Sequence, residues 1–153
     1  MGNIVHFLTG NLVLNLCIIS WVAAQVLKVI IHLISKKRLD FHYLLSSGGM
    51  PSSHSSVVCT CATSVGSIAG WSSISFAIAT VMAFVVMYDA ANVRKAAGEQ
   101  ARILNYIMEH WKEMRPEFLG KELKELLGHT PLQVFAGAVL GILIGLLGTY
   151  LCA

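Results

Sequence analysis

Of the six histidines in this 153-residue chain, two stand where the neighbouring residue types can support chemistry. His54 closes the stretch Ser46-Ser47-Gly48-Gly49-Met50-Pro51-Ser52-Ser53-His54, a glycine-rich turn followed by the Pro and Ser that open helices. Such a helix start leaves backbone N–H groups unpaired at the positive end of the helix dipole, which makes it a cradle for an anion. Starting a helix is a sufficient job for these residues by itself, and His54 beside the cradle tilts the balance toward a site. His129 precedes Thr130-Pro131-Leu132-Gln133, a capping box with proline at the first helical position. The box gives Gln133 a structural role and fixes His129 just before a second helix start. A neutral imidazole is favoured there, and it can act as nucleophile or base near pH 7.

Three further charged residues join these two. Lys28 is an ammonium inside a long apolar run, either a functional group or one that snorkels to the interface. Asp89 and Arg94 follow a third apolar run and either serve a site or pair with each other at a helix end. On a continuous helix Arg94, Gly98, Arg102 and Asn105 share a polar face, with Gly98 admitting a ligand close to the backbone. His6, His32, His42 and His110 have no comparable context.

The elements that must position these groups follow from composition. Hydrophobic residues make up 56% of the chain and charged residues 12%, about half the share in soluble domains. Disorder, a coiled coil and a secreted disulfide scaffold are excluded, which leaves one small polytopic membrane domain over residues 1–153. The four cysteines lie in apolar runs without zinc-ligand spacing and read as small buried hydrophobes, so no metal or other cofactor is expected.

Four apolar runs are expected to be membrane-embedded helices, an all-α bundle. Leu12 to Ser35 and Leu132 to Cys152 are long enough to span a hydrocarbon core of about 30 Å. The first lacks the basic leader and cleavage site of a signal peptide. Ser55 to Gly70 and Ser73 to Tyr88 are shorter and rich in Ser, Thr and Ala; joined by a turn at Gly70-Trp71-Ser72, they form a hairpin of marginal spans. Gly137, Gly141 and Gly145 recur every fourth residue, a stripe that admits another helix backbone, from this chain or from a second copy in a homodimer. Between the third and fourth runs, Val93, Ala97, Leu104, Ile107, Met108 and Trp111 fall on one face of an amphipathic helix, which rests on the membrane or bundle or bridges two spans in solvent. Pro116 stops it, and Lys121 to Leu127 predicts one more short helix.

Charge sets the orientation. Lys36, Lys37 and Arg38 follow the first span, and Arg94, Lys95, Arg102, Lys112, Arg115, Lys121 and Lys124 lie between the third and fourth. The positive-inside rule places both basic loops in the cytoplasm and both termini outside. Lys28, His54, Asp89, Arg94 and His129 then meet at the cytoplasmic mouth of the bundle.

Met50-Pro51-Ser52-Ser53-His54-Ser55 resembles the P-S-G-H element of the type 2 phosphatidic acid phosphatase superfamily, with Ser53 in place of Gly. His129-Thr130-Pro131-Leu132-Gln133-Val134-Phe135-Ala136-Gly137 resembles its H-x-P-x-D-V-x-x-G element, with Gln133 in place of Asp. The blocks around Tyr88-Asp89-Ala90 to Arg94 and Gly98-Glu99-Gln100-Ala101 look like the divergent bacterial and plant branch, a resemblance over about residues 10–150. It implies His129 as nucleophile, His54 as general acid, basic side chains on the phosphate, no metal, and a lipid or isoprenoid phosphate as substrate. Of the parent's first element, K-x6-R-P, only Lys28 matches, since Ser35 and Lys36 hold the last positions; Arg115-Pro116 has Met108 where that lysine belongs. The arginine six residues before the second histidine is replaced by Leu123, which leaves Arg94 as its substitute.

The expectation is therefore an integral protein of a bacterial plasma membrane that hydrolyses a lipid or isoprenoid phosphate through a phosphohistidine. Catalysis falls to His129 and His54, phosphate binding to Lys28, Arg94, Ser52 and Ser53, and support to Asp89, Gln133 and Arg102. The alternatives are a non-enzymatic binder or transporter of a phosphorylated lipid, and a helical scaffold. No nucleic-acid partner is expected, and a homodimer is reasonable for so small a bundle.

Overall fold

The computed structural model describes residues 9–36, 49–111 and 128–152, and all their regular structure is helical. In chain order come α1 (Leu12–Lys36), α2 (Ser53–Ala69), α3 (Ile74–Tyr88), a π-helical turn (Asp89–Val93), α4 (Arg94–Trp111) and α5 (Pro131–Cys152). The expected hairpin is present. Gly70 takes φ 94°, its N–H donates to Gly66 O, and Ser73 caps α3 by accepting from Phe76 N–H. Trp71 lies over Gly66 and meets Phe76 edge-on, so a side chain on Gly66 would collide with both rings.

Among the described residues, three helices are long and apolar enough to cross a membrane: Leu12–Ser35, Ile74–Met108 and Pro131–Cys152. The second is one helical rod, because the π turn carries α3 into α4 without a break. The amphipathic segment is thus a direct extension of the third apolar run, with Ile103, Leu104, Tyr106 and Ile107 exposed. The basic residues at 37–38 and 112–124, Pro116 and the short helix expected at Lys121 to Leu127 lie outside the described residues.

The 17-residue α2 is the centre of the bundle, flanked by α1, α3 and α5. Its position explains a composition that looks marginal for a span: hydroxyls shielded by three apolar helices need partners, not lipid. Ser20 and Ser56 hydroxyls lie 2.6 Å apart, and Thr60 Oγ1 lies 2.8 Å from Ser20 Oγ and 2.9 Å from the Gly141 carbonyl. Large hydrophobic residues such as Ile34, Ile74, Phe84 and Leu147 face outward, while the buried set is dominated by Ser, Thr and Ala.

The glycine stripe of α5 packs inside the chain. A Cβ at Gly137 would strike Ser52 O, one at Gly141 would strike Ser56 O, and one at Gly145 would lie 2.9 Å from Thr63 Cβ. Small residues here let the α2 backbone settle directly on α5. The stripe is consumed by an intramolecular interface.

Candidate functional site

The first turns of α2 and α5 lie side by side and are joined through their backbones. Ser52 N–H donates to Gln133 O at 3.0 Å, and Ser52 O sits against Gly137, one turn further along α5. Ser52 is also the N-cap of α2: its Oγ accepts from Ser55 N–H, and its carbonyl accepts from Ser56 N–H. Its own N–H is therefore committed to α5 and is not available for an anion. Of the two N–H groups expected to form the cradle, that leaves Ser53, in the first turn of α2.

His54 and His129, 75 positions apart in sequence, come together at this junction. Their ring centroids are 6.1 Å apart and the planes tilt by 58°. His129 is 2% exposed, and its backbone N–H donates to Ala90 O in the π turn at 3.0 Å. Gly128 lets that loop lie on α4, since a Cβ there would collide with the Lys95 backbone. π turns are short interruptions of α-helices that recur at functional sites, and this one supplies the carbonyl that pins the His129 loop. Nothing in Asp89-Ala90-Ala91-Asn92-Val93 marks a π turn, so sequence reasoning missed both it and the role of Ala90.

The capping box forms as expected and does more than cap. Gln133 N–H donates to Thr130 Oγ1 at 3.4 Å, and Thr130 N–H donates to Gln133 Oε1 at 3.1 Å. The same Oε1 lies 3.2 Å from His129 Nδ1. A backbone N–H can only donate, so the amide atom it faces must be the oxygen, and that oxygen can only accept. His129 Nδ1 therefore carries the proton, which leaves the lone pair on Nε2. Gln133 thus fixes the tautomer and the ring plane without supplying negative charge.

Lys28 is 2% exposed on α1, and its ammonium donates to Ser53 Oγ at 3.3 Å. Gly49, at φ 96°, lies over the Lys28 stem, where a Cβ would rest 3.8 Å from Cγ and Cδ. The lysine is therefore held inward at the start of α2 and does not snorkel away. Asp89 opens the π turn next to Ala90 and is half-buried, and Arg94 begins α4 one turn later. Arg102 is exposed on α4, 12 residues beyond Ala90 and so about 18 Å along the axis, outside the cluster. Gly98 is buried. The residues 46–48 of the glycine-rich turn lie outside the described residues.

Two imidazoles this close can act on one small group, one as nucleophile or base and the other as acid. Among the described residues, no three His, Cys, Asp or Glu side chains gather as a metal site.

A helical membrane bundle carrying two histidines at paired helix starts, with a buried lysine beside them, defines the class. The chain matches the model of the Divergent PAP2 family over residues 9–144 and belongs to that family. It is 40% identical over 137 residues to the uncharacterized membrane protein YuiD of Bacillus subtilis (strain 168), covering 83% of this chain and 87% of that protein. No solved structure matches.

Proposed function

We propose that this protein is a membrane-embedded phosphatase of a lipid or isoprenoid phosphate, working without a metal at the cytoplasmic face. The observation that carries this reading is the approach of His54 and His129 to 6.1 Å beside the inward-held Lys28. His129 Nε2 attacks phosphorus in line and the bond to the leaving oxygen breaks, while protonated His54 gives that oxygen its proton. His54, now neutral, takes a proton from water; the resulting hydroxide attacks the phosphohistidine and releases phosphate and His129. Lys28, Arg94 and the N–H group of Ser53 balance charge on the equatorial oxygens, where most of the catalysis of phosphoryl transfer resides.

Gln133 and Leu123, where the parent superfamily has Asp and Arg, favour a second reading: a binder or transporter that keeps the anion cradle. One experiment separates the two. The full chain in detergent is given a panel of lipid and isoprenoid phosphates with and without chelator, and phosphate release is followed for the native protein and His129→Ala. Chelator-resistant release that disappears in the variant is the expected result. Saturable binding without release from any member would refute the phosphatase and leave the transporter.

A further inference from the structure

On the outer side of the site, α3 and α5 both lean on α2 and meet each other chiefly where the π turn touches α5. Below that meeting point they part and leave an apolar groove of about 670 Å³ between Phe84, Met87, Ala91, Pro131, Val134 and Ala138. We propose that this groove seats a hydrocarbon chain of the phosphorylated lipid whose head group reaches His129. The inference rests on the phosphatase-site reading for the head group and adds the place of the tail.

Three observations select that occupant. The groove is continuous with the site: Pro131 lies two residues after His129, and Ala91 follows the Ala90 carbonyl that holds the His129 N–H. Its lining is apolar and its rim opens sideways past the exposed Phe84, Tyr88 and Phe135, so it admits a chain from within the bilayer. The walls, residues 84–91 and 131–138, each extend about 10 Å along a helix, most of the ~15 Å depth of one leaflet. Because lipid tails are already in an apolar medium, entering the groove brings no hydrophobic gain. Its effect is positional: a held tail delivers the phosphate to one place and one orientation beside Nε2, where small displacements cost rate steeply.

The test uses the full chain in phosphatidylcholine vesicles with a phosphatidic acid probe carrying a photoactivatable diazirine in its acyl chain, and adducts mapped by peptide mass spectrometry. Adducts should concentrate in residues 84–91 and 131–138, be competed by unlabelled phosphatidic acid, and fall about tenfold in Ala138→Phe, which fills the groove. Ala91→Phe gives the same readout from the opposite wall, and Leu147→Phe, at the other end of α5, should change nothing. If the labelling matches that of a phosphatidylcholine probe, or spreads evenly around the bundle, lipid merely wets this surface and the inference is overturned. Groove-specific, phosphate-dependent labelling with no phosphate release from any substrate would sink the phosphatase while upholding the tail seat. Release that is equal for long-chain and water-soluble phosphates, with no groove adducts, would do the reverse.

Discussion

Replacing Gln133 by Glu should raise kcat and KM together, and the structure sets the size of both effects. The amide oxygen lies 3.2 Å from His129 Nδ1 and 3.1 Å from Thr130 N. A carboxylate of the same reach accepts both hydrogen bonds, so capping and tautomer survive and only charge is added. The positive charge that develops on the ring as Nε2 attacks is centred about 5 Å from that carboxylate. At an effective dielectric of about 20, a full unit charge there is worth ~3 kcal/mol, and a half-developed one ~1.5, or about tenfold in kcat. The phosphate lies beyond the ring, about 8 Å away, where each of its charges is repelled by ~2 kcal/mol, so KM rises by about thirtyfold for a singly charged phosphate and by about a thousandfold for a dianion. Gln133→Ala instead loses the tautomer restraint and the box. In serine-protease triads an amide in place of the orienting carboxylate lowers kcat by about 10⁴ through the wrong tautomer, and a loss of at least ~10² is expected here. Here the Thr130 N–H holds the amide oxygen toward His129 Nδ1 and prevents the amide from turning. Steady-state phosphate release across a substrate series gives kcat and KM separately. If kcat of Gln133→Glu falls as far as that of Gln133→Ala, the tautomer argument is refuted, because the amide N–H₂ and not the oxygen would then be what His129 needs.

Two further predictions concern the frame and the charge. Gly141→Ala should destabilise the bundle by about 1–3 kcal/mol in thermal unfolding, because the new Cβ meets the Ser56 carbonyl, which belongs to helix backbone and cannot step aside. Gly148→Ala should cost less, since the atoms in its way are the ends of the Leu16 side chain; equal losses would contradict this packing. Lys28→Met should weaken phosphate binding by roughly 10- to 150-fold, the worth of a charge-assisted hydrogen bond of about 1.5–3 kcal/mol. A melting point several degrees lower with phosphate binding unchanged would make Lys28 a structural residue instead.

Much of this geometry was legible in the residues. The apolar runs set the helices of the bundle, Gly70 marked the hairpin, and Thr130-Pro131-Leu132-Gln133 announced its capping box, because each of these is decided within a few residues. What could not be read depended on neighbours distant in the chain. The Ser and Thr of α2 look like weakness in a lipid-facing span and become a hydrogen-bonded core once α1, α3 and α5 surround them. The glycine stripe was equally compatible with a second copy, and only the positions of Ser52, Ser56 and Thr63 assign it to this chain's own α2. The π turn has no local signature at all, since it answers a demand made 39 residues later by the His129 N–H.

These misses share a cause that bears on how the site stays rigid. In a bilayer the outer aliphatics gain little by facing one another, so the helices must be joined by close backbone approach and hydrogen bonds. Both are concentrated on α2, and its N-terminal turn is where they meet the candidate chemistry. Ser52 donates to Gln133 O and presses its carbonyl on Gly137, and Gln133 in turn orients His129. The contact that closes α2 on α5 is thus the same contact that sets the distance between His54 and His129. A substitution at Gly137 would therefore move the two imidazoles apart as directly as it would loosen the helices.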